Sequence, residues 1–352
     1  MALRDHFPVL ERIAYLNAGT DGPIPRAAVE VAREELEAEV AEGRIFAHFA
    51  RRQELTDELR AGYARVMGCE PEHVAVTSGT SAGLGAILAG LDLGPGDEIV
   101  TSDSEHPGLV GPLIAARHRG ATVRAVPFSE LANAVTATTT IVAASHVSWI
   151  TGEIAPAELA ELPIPVILDG AQGAGAVPLD VAALGCAAYA AAGQKWLCGA
   201  DGTGMLYVEP QFGERVRTIA PNYHSFEDTT RGLDSPLRAE ARRFDSPLPR
   251  EGVAFSKAAL DVLEAEGLRK LIKRATDLAN RFADALAEAG HTVAPRGRST
   301  LVSFEHPDPA GARERLSEAD IAVRNLPGHP YLRASVGAWN DESDLERLLA
   351  AL

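Results

Sequence analysis

Two ionisable residues sit where apolar strands end. Val166-Ile-Leu168 has the length and composition of a short buried strand and stops at Asp169-Gly170. Ala187 to Ala192 reads as a second strand, built of small residues, that runs into Gly193-Gln194-Lys195. A turn-capping acid or a solvated loop lysine would explain either residue alone. Together they are harder to dismiss, because charges rarely flank buried strands without a partner. Ligands of open α/β sheets sit beyond the carboxyl ends of the strands, so Asp169 and Lys195 are expected to face one ligand.

A lysine amine and a carboxylate suit the chemistry of pyridoxal phosphate (PLP). The amine forms an imine with an aldehyde, and the carboxylate keeps a pyridine nitrogen protonated so that the ring accepts electrons from a carbanion. Gln172, three residues after Asp169, is placed to donate to the ring oxygen beside the imine. A strand over His73 to Thr77 leads into Ser78-Gly79-Thr80-Ser81 and an Ala/Leu-rich helix to about Leu91. Such a helix start offers unpaired N–H groups and a positive dipole end to a phosphate, although ordinary N-capping also favours hydroxyl residues there.

The motifs DGAQ (Asp169 to Gln172), GQKWLCG around Lys195 and GTGMLYV (Gly202 to Val208) resemble the PLP site of the class V aminotransferase family, of fold type I. The resemblance extends through YLNAGTDGPIPRAA, TSGTSAG, SEHPGLV, SHVSWITG and LRASVGAWNDESDLERLL, essentially the whole chain. The family includes cysteine desulfurases, C–S lyases acting on cysteine and cystine, isopenicillin epimerase-like proteins and some transaminases. It implies an α/β fold: a large domain with a mainly parallel central sheet and a smaller α+β C-terminal domain. The expected division is an N-terminal arm (1–20) packing with the small domain, a large PLP-binding domain (21–235) and a small domain (236–352).

The same resemblance implies roles for individual residues. Thr80 would donate to the phosphate through its backbone and Ser81 through its hydroxyl, and Gln194, where many relatives have histidine, would donate as well. His106 would stack on the cofactor ring. Arg333 matches the α-carboxylate clamp, for which a guanidinium's parallel donors are suited, and Arg324 a position that approaches the substrate. Relatives also supply a threonine to the partner's phosphate from a Gly-Thr-Pro turn. This chain has Phe244-Asp-Ser-Pro there, with Ser246 as the candidate substitute.

Three departures bear on the reaction. Trp149 stands where desulfurases commonly have a substrate-contacting asparagine, so it is expected to wall an apolar pocket or to serve as core. Ala192 replaces a frequent hydroxyl residue. Between the two arginines, where a desulfurase carries its nucleophilic cysteine, Asn325 to Leu332 reads NLPGHPYL, and all three cysteines, Cys69, Cys186 and Cys198, come earlier. The resemblance therefore points to C–S lyase-like β-elimination from a cysteine derivative. The alternatives are a class V transaminase, an isopenicillin-epimerase-like racemase or epimerase and, last, a non-catalytic binding protein of the same fold.

Composition sets the outer limits. With 352 residues, two domains are the prior. A formal net charge of −16 argues against nucleic acid and anionic membrane surfaces as partners, since both need clustered Lys and Arg. An odd cysteine count without metal-ligand spacing argues against a disulfide framework and a metal site. The opening MALRDHFPVLERIAYLN has no apolar signal core, and no apolar run reaches the ~20 residues that span a bilayer. The expectation is a cytoplasmic homodimer acting on a small amino acid, with active sites near the interface. Arg26 to about Met67 reads as helical, interrupted near Gly43, with Val29, Leu36, Val40, Leu55 and Leu59 as its buried stripe.

Overall fold

The computed structural model describes residues 2–352. After two short 3₁₀ turns and a two-residue strand, β1 (Ala14–Tyr15), the chain forms α1 (Arg26–Glu42) and α2 (Phe46–Met67). Gly43, at φ 75°, ends α1 in a conformation that strains other residues. There follow β2 (Val74–Thr77), α3 (Thr80–Gly90), β3 (Glu98–Ser102), α4 (Pro107–His118), β4 (Thr122–Val126), β5 (Thr139–Ser145), β6 (Val166–Asp169), β7 (Ala188–Ala192) and β8 (Gly204–Val208).

These seven strands, β2 to β8, make one sheet in the order β2-β8-β7-β6-β5-β3-β4. Only β8 runs against its neighbours, β2 and β7; the other pairings are parallel. Strands β2, β6, β7 and β8 are buried throughout, which is why they read as unbroken apolar runs. Alternate residues feed two separate cores: Val74, Val76, Tyr189 and Ala191 pack on one face, Ala75, Ala188 and Ala190 on the other.

Beyond a single helical turn, α5 (Pro210–Gly213), the chain is irregular until α6 (Arg250–Glu266) and α7 (Leu268–Glu288). Then come β9 (Leu301–Glu305), α8 (Pro309–Glu318), β10 (Ile321–Ala322), β11 (Arg324–Asn325), β12 (Tyr331–Ser335) and α9 (Glu342–Ala351). The strands β11, β12 and β9 form an antiparallel sheet, while β10 pairs in parallel with β1 near the N-terminus. Leu278 and Phe282 of α7 close a third core with Phe304 and Leu332, as the helical spacing of α7 requires.

The expected stripe of the first helices holds only in part. Leu55 and Leu59 are buried, but Val29, Leu36 and Val40 of α1 are 50%, 44% and 88% exposed. Helix α1 instead turns Glu35 and Glu39 inward against α6. Arg250 donates its Nε to Glu35 at 2.5 Å, and Glu39 accepts from Arg44 and lies 3.4 Å from His48. A buried arginine on α6 thus reverses the polarity of the helix facing it. In the irregular segment Asp245, buried, takes a two-pronged bond from Arg60 and one from the Val76 N–H, tying the segment to the edge strand β2. Among the described residues no helix is long and apolar enough to cross a membrane.

Candidate active site

The parallel strands share one carboxyl edge, and the residues singled out by sequence gather along it. Asp169 is the last residue of β6, next to Ser145 of β5 and Ala190 of β7 in the strand register. Lys195 lies three residues beyond β7, on a turn closed by Gly199 N–H to Gly193 carbonyl (2.9 Å) and Cys198 N–H to Lys195 carbonyl (3.2 Å). Cys198 adopts the left-handed conformation, φ 56°, a strain that persists only where the surroundings hold it. Gly22 donates to the Gln194 carbonyl at 2.8 Å, and a Cβ on Gly22 would fall 2.1 Å from the Lys195 carbonyl. The segment leading into α1 therefore packs on the lysine turn, and only glycine fits at position 22.

Burial tunes both charges. Desolvation lowers the Lys195 amine to about 8, with the Arg333 and Arg324 charges adding to it and Asp169 and Asp21 opposing it. Burial likewise raises the Asp169 carboxyl, against the Ala171 N–H and the Lys195 charge, which lower it. An amine near 8 supplies free base close to neutral pH. A carboxyl with raised proton affinity is suited to sharing a proton with a pyridine nitrogen.

At the end of β3, Glu105 is buried and accepts from the Ser102 hydroxyl (2.6 Å) and the Ser145 N–H (3.0 Å), which pins the loop carrying His106 to β5. His106 caps α4, its Nδ1 accepting from the Gly108 N–H at 3.1 Å. Burial, then the Lys195, Arg324 and Arg333 charges, bring its imidazole down to about 4, so the ring is neutral. Gln172 donates to the Gly19 carbonyl (2.7 Å) and accepts from Trp196 (3.0 Å), which leaves one amide hydrogen for a ligand.

The end of β2 supplies an anion cradle. Gly79, at φ 142° with open space where a Cβ would stand, precedes α3, whose start has no side-chain cap. The Thr80 hydroxyl is buried without a partner, as is Oε1 of Gln194. Ser81, which follows Thr80, is exposed. The Ser246 hydroxyl accepts from the Ser78 N–H of this same loop at 3.2 Å.

On β12, Arg333 is 1% exposed and, among the described residues, makes one hydrogen bond, to the Trp149 carbonyl at 2.6 Å. Its Nε has no partner among the described residues, and a Cβ on Gly19 would come within 2.9 Å of its Nη2. Desolvation, with Arg324 alongside, brings its guanidinium down to about 9. Arg324 bonds the Thr20 hydroxyl at 3.1 Å. The Trp149 indole donates to the Ser104 carbonyl at 3.0 Å and meets the His106 ring edge-on at 5.2 Å.

All ten expected residues thus lie at or just beyond the ends of the sheet strands or on the β11–β12 hairpin. The unpartnered Thr80 hydroxyl at an uncapped helix start, the buried Arg333 guanidinium and the Lys195 amine with the Asp169 carboxyl beside it are groups that fit PLP and an amino acid: Thr80 and Ser81 with Gln194 would hold the phosphate, Asp169 the pyridine nitrogen and Lys195 the aldehyde. Sequence reading passed over Glu105, whose partner Ser145 lies on another strand, and the pair His146–Tyr189. That pair is fully buried, joined at 3.0 Å, and packed beneath Gly170 and Gly173 of the Asp169 turn. Among the described residues no cluster is able to hold a metal ion.

The fold and site define a PLP-dependent enzyme. The family model "Aminotransferase class-V" matches residues 14–348, and the chain belongs to that family. It is 28% identical to an isopenicillin N epimerase of Amycolatopsis lactamdurans, over 97% of this chain and 94% of that protein. It is 31% identical to a probable cysteine desulfurase of Halalkalibacterium halodurans, over 80% and 77%. Among solved structures it superimposes on the cystine C–S lyase C-DES in complex with its reaction product cysteine persulfide, with a TM-score of 0.91, 27% identity and 98% of each chain covered. A C-DES variant with glycine covalently linked to the PLP cofactor gives 0.92 and 26%, over 99% of this chain and 98% of that one.

Proposed function

We propose that the chain removes a sulfur substituent from the β-carbon of a cysteine derivative by β-elimination, releasing a thiol, pyruvate and ammonia. The observation that carries this reading is the buried Arg333, without a carboxylate partner among the described residues and close enough to Lys195 to act on its charge, on a hairpin without a thiol. When bound, PLP supplies the electron sink that makes an amino acid's α-proton removable.

Lys195 would hold the cofactor, and its lowered proton affinity keeps a free base available to take the substrate's α-proton. Arg333 fixes the α-carboxylate with two donors, and Arg324 supports it from the neighbouring strand. Asp169 would keep a proton at the pyridine nitrogen, His106 would set its neutral ring against the cofactor, Gln172 would donate to the ring oxygen, and Thr80, Ser81 and Gln194 would hold the phosphate. Trp149 borders the space for the substrate side chain.

Persulfide formation on the enzyme is disfavoured by the cysteines themselves. Cys198 and Cys186 are buried, and desolvation raises Cys69 and Cys186 to about 12 and Cys198 further. Epimerisation is the second reading, favoured by the length of the match to isopenicillin N epimerase. The apolar face that α1 leaves exposed supports a symmetric homodimer as the assembly. The test is a panel of cysteine, cystine, cysteine S-conjugates and cysteine sulfoxides. Pyruvate and ammonia in equal amounts are expected, whereas a keto acid retaining sulfur or an inverted α-carbon would replace the lyase reading.

A further inference from the structure

The hairpin joining the two arginines carries His329 close to its tip, between β11 and β12. Its ring meets Trp149 edge-on, with centroids 6.5 Å apart at 90°, and lies nearly parallel to Tyr331 at 6.4 Å and 11°. Trp149 in turn meets His106, so four rings run in series from the cofactor-facing histidine to the hairpin. The indole is held firmly. Its Nε1 donates to the Ser104 carbonyl, and its own carbonyl receives the only hydrogen bond found for Arg333 among the described residues. The group that fixes the α-carboxylate therefore also fixes the wall beside it.

From this geometry we propose that Trp149 and His329 form the wall that recognises the substrate side chain, and that it selects an uncharged, polarizable substituent, such as the S-aryl or S-alkyl group of a cysteine conjugate. Aromatic edges and faces bind sulfur and other rings favourably, and an indole whose N–H is already committed offers a side chain only apolar surface. The Trp149 indole brings no charge to the substrate's β-substituent. The distal charges of the site belong to Arg324, engaged by Thr20, and to Asp21 beyond it. An anionic or zwitterionic side chain would depend on those groups instead.

The inference rests on the lyase reading for the identity of the conjugate, but side-chain selection is measurable without turnover. α-Methyl amino acids have no α-proton, so binding to the holoenzyme can be titrated by cofactor absorbance with no reaction following. The expected result is that α-methylphenylalanine binds about tenfold more tightly than α-methylaspartate. Trp149→Ala and His329→Ala should each erase most of that preference, while Trp149→Phe, which keeps a ring, should retain it. His329→Ala, at a half-buried position near the hairpin tip, tests the wall even if Trp149→Ala fails to fold. A wild-type preference for α-methylaspartate, or a preference untouched by His329→Ala, would overturn the proposal. If selection follows the wall but S-benzylcysteine yields no pyruvate, the lyase reading fails and the wall stands.

Discussion

Arg324 and Arg333 stand directly opposite one another across the β11–β12 hairpin, and neither meets a carboxylate among the described residues. For the buried Arg333 this is a standing cost. Its folded-state proton affinity, near 9, is below the ordinary 12.5, so the charged form that prevails at neutral pH is disfavoured by folding. Arg333→Met should stabilise the cofactor-free protein by about 1–4 kcal/mol at pH 7 while raising KM by orders of magnitude. Thermal denaturation and steady-state kinetics check the two effects; an Arg333→Met protein that is less stable and binds substrate normally contradicts the clamp.

Lys195 should carry the cofactor. The sequence has four lysines, and Lys257, Lys270 and Lys273 lie on helices in ion pairs four residues apart. Borohydride reduction followed by peptide mass spectrometry should label the Lys195 peptide alone, and Lys195→Ala should abolish the label and turnover. Label on any of the other three lysines would displace Lys195 from the site.

The Lys195 amine gives a pH signature. Below its folded value of about 8 the amine is protonated, so the rate at which cofactor-free protein takes up PLP should climb by roughly tenfold per pH unit from 6 to 7.5 and level off above about 8. The unfolded chain keeps that proton up to 10.5, so this group makes stability rise with pH between about 8 and 10.5. Stopped-flow absorbance tests the first statement; an uptake rate still climbing at pH 10 contradicts it.

Asp169→Asn should separate binding from chemistry. A neutral amide cannot hold the pyridinium proton, yet the phosphate cradle remains. Exchange of the substrate's α-proton with solvent, followed by NMR, should fall by orders of magnitude while PLP stays bound. Unchanged exchange would remove Asp169 from its role.

Replacing all three cysteines by serine should leave a folded protein that still makes pyruvate, because none lies on the hairpin between Arg324 and Arg333. The buried positions make folding the first measurement, by circular dichroism. Loss of activity in a folded triple variant, with alanine as the wild-type product from cysteine, would restore the desulfurase chemistry.

Much of this site is legible in sequence because its signals are local. Asp169, Lys195 and Thr80 each end an apolar strand or open a helix, and strands and turns declare themselves within a few residues. What escaped depends on distant partners. The inward face of α1 is set by Arg250, 215 positions from Glu35, so the apolar spacing of Val29, Leu36 and Val40 pointed to the wrong side. Glu105 looks like a loop charge until the parallel pairing of strands brings Ser145 to it. His329 acquires meaning only once the hairpin sets its ring against Trp149.

The most direct measurement is a single NMR time course of the holoenzyme with S-benzyl-L-cysteine in D₂O. The elimination chemistry proposed for Lys195, Asp169 and Arg333 predicts benzyl thiol and pyruvate appearing together, one for one with ammonia, and no alanine. Substrate that only exchanges its α-proton, inverts its configuration or becomes a sulfur-retaining keto acid would contradict it.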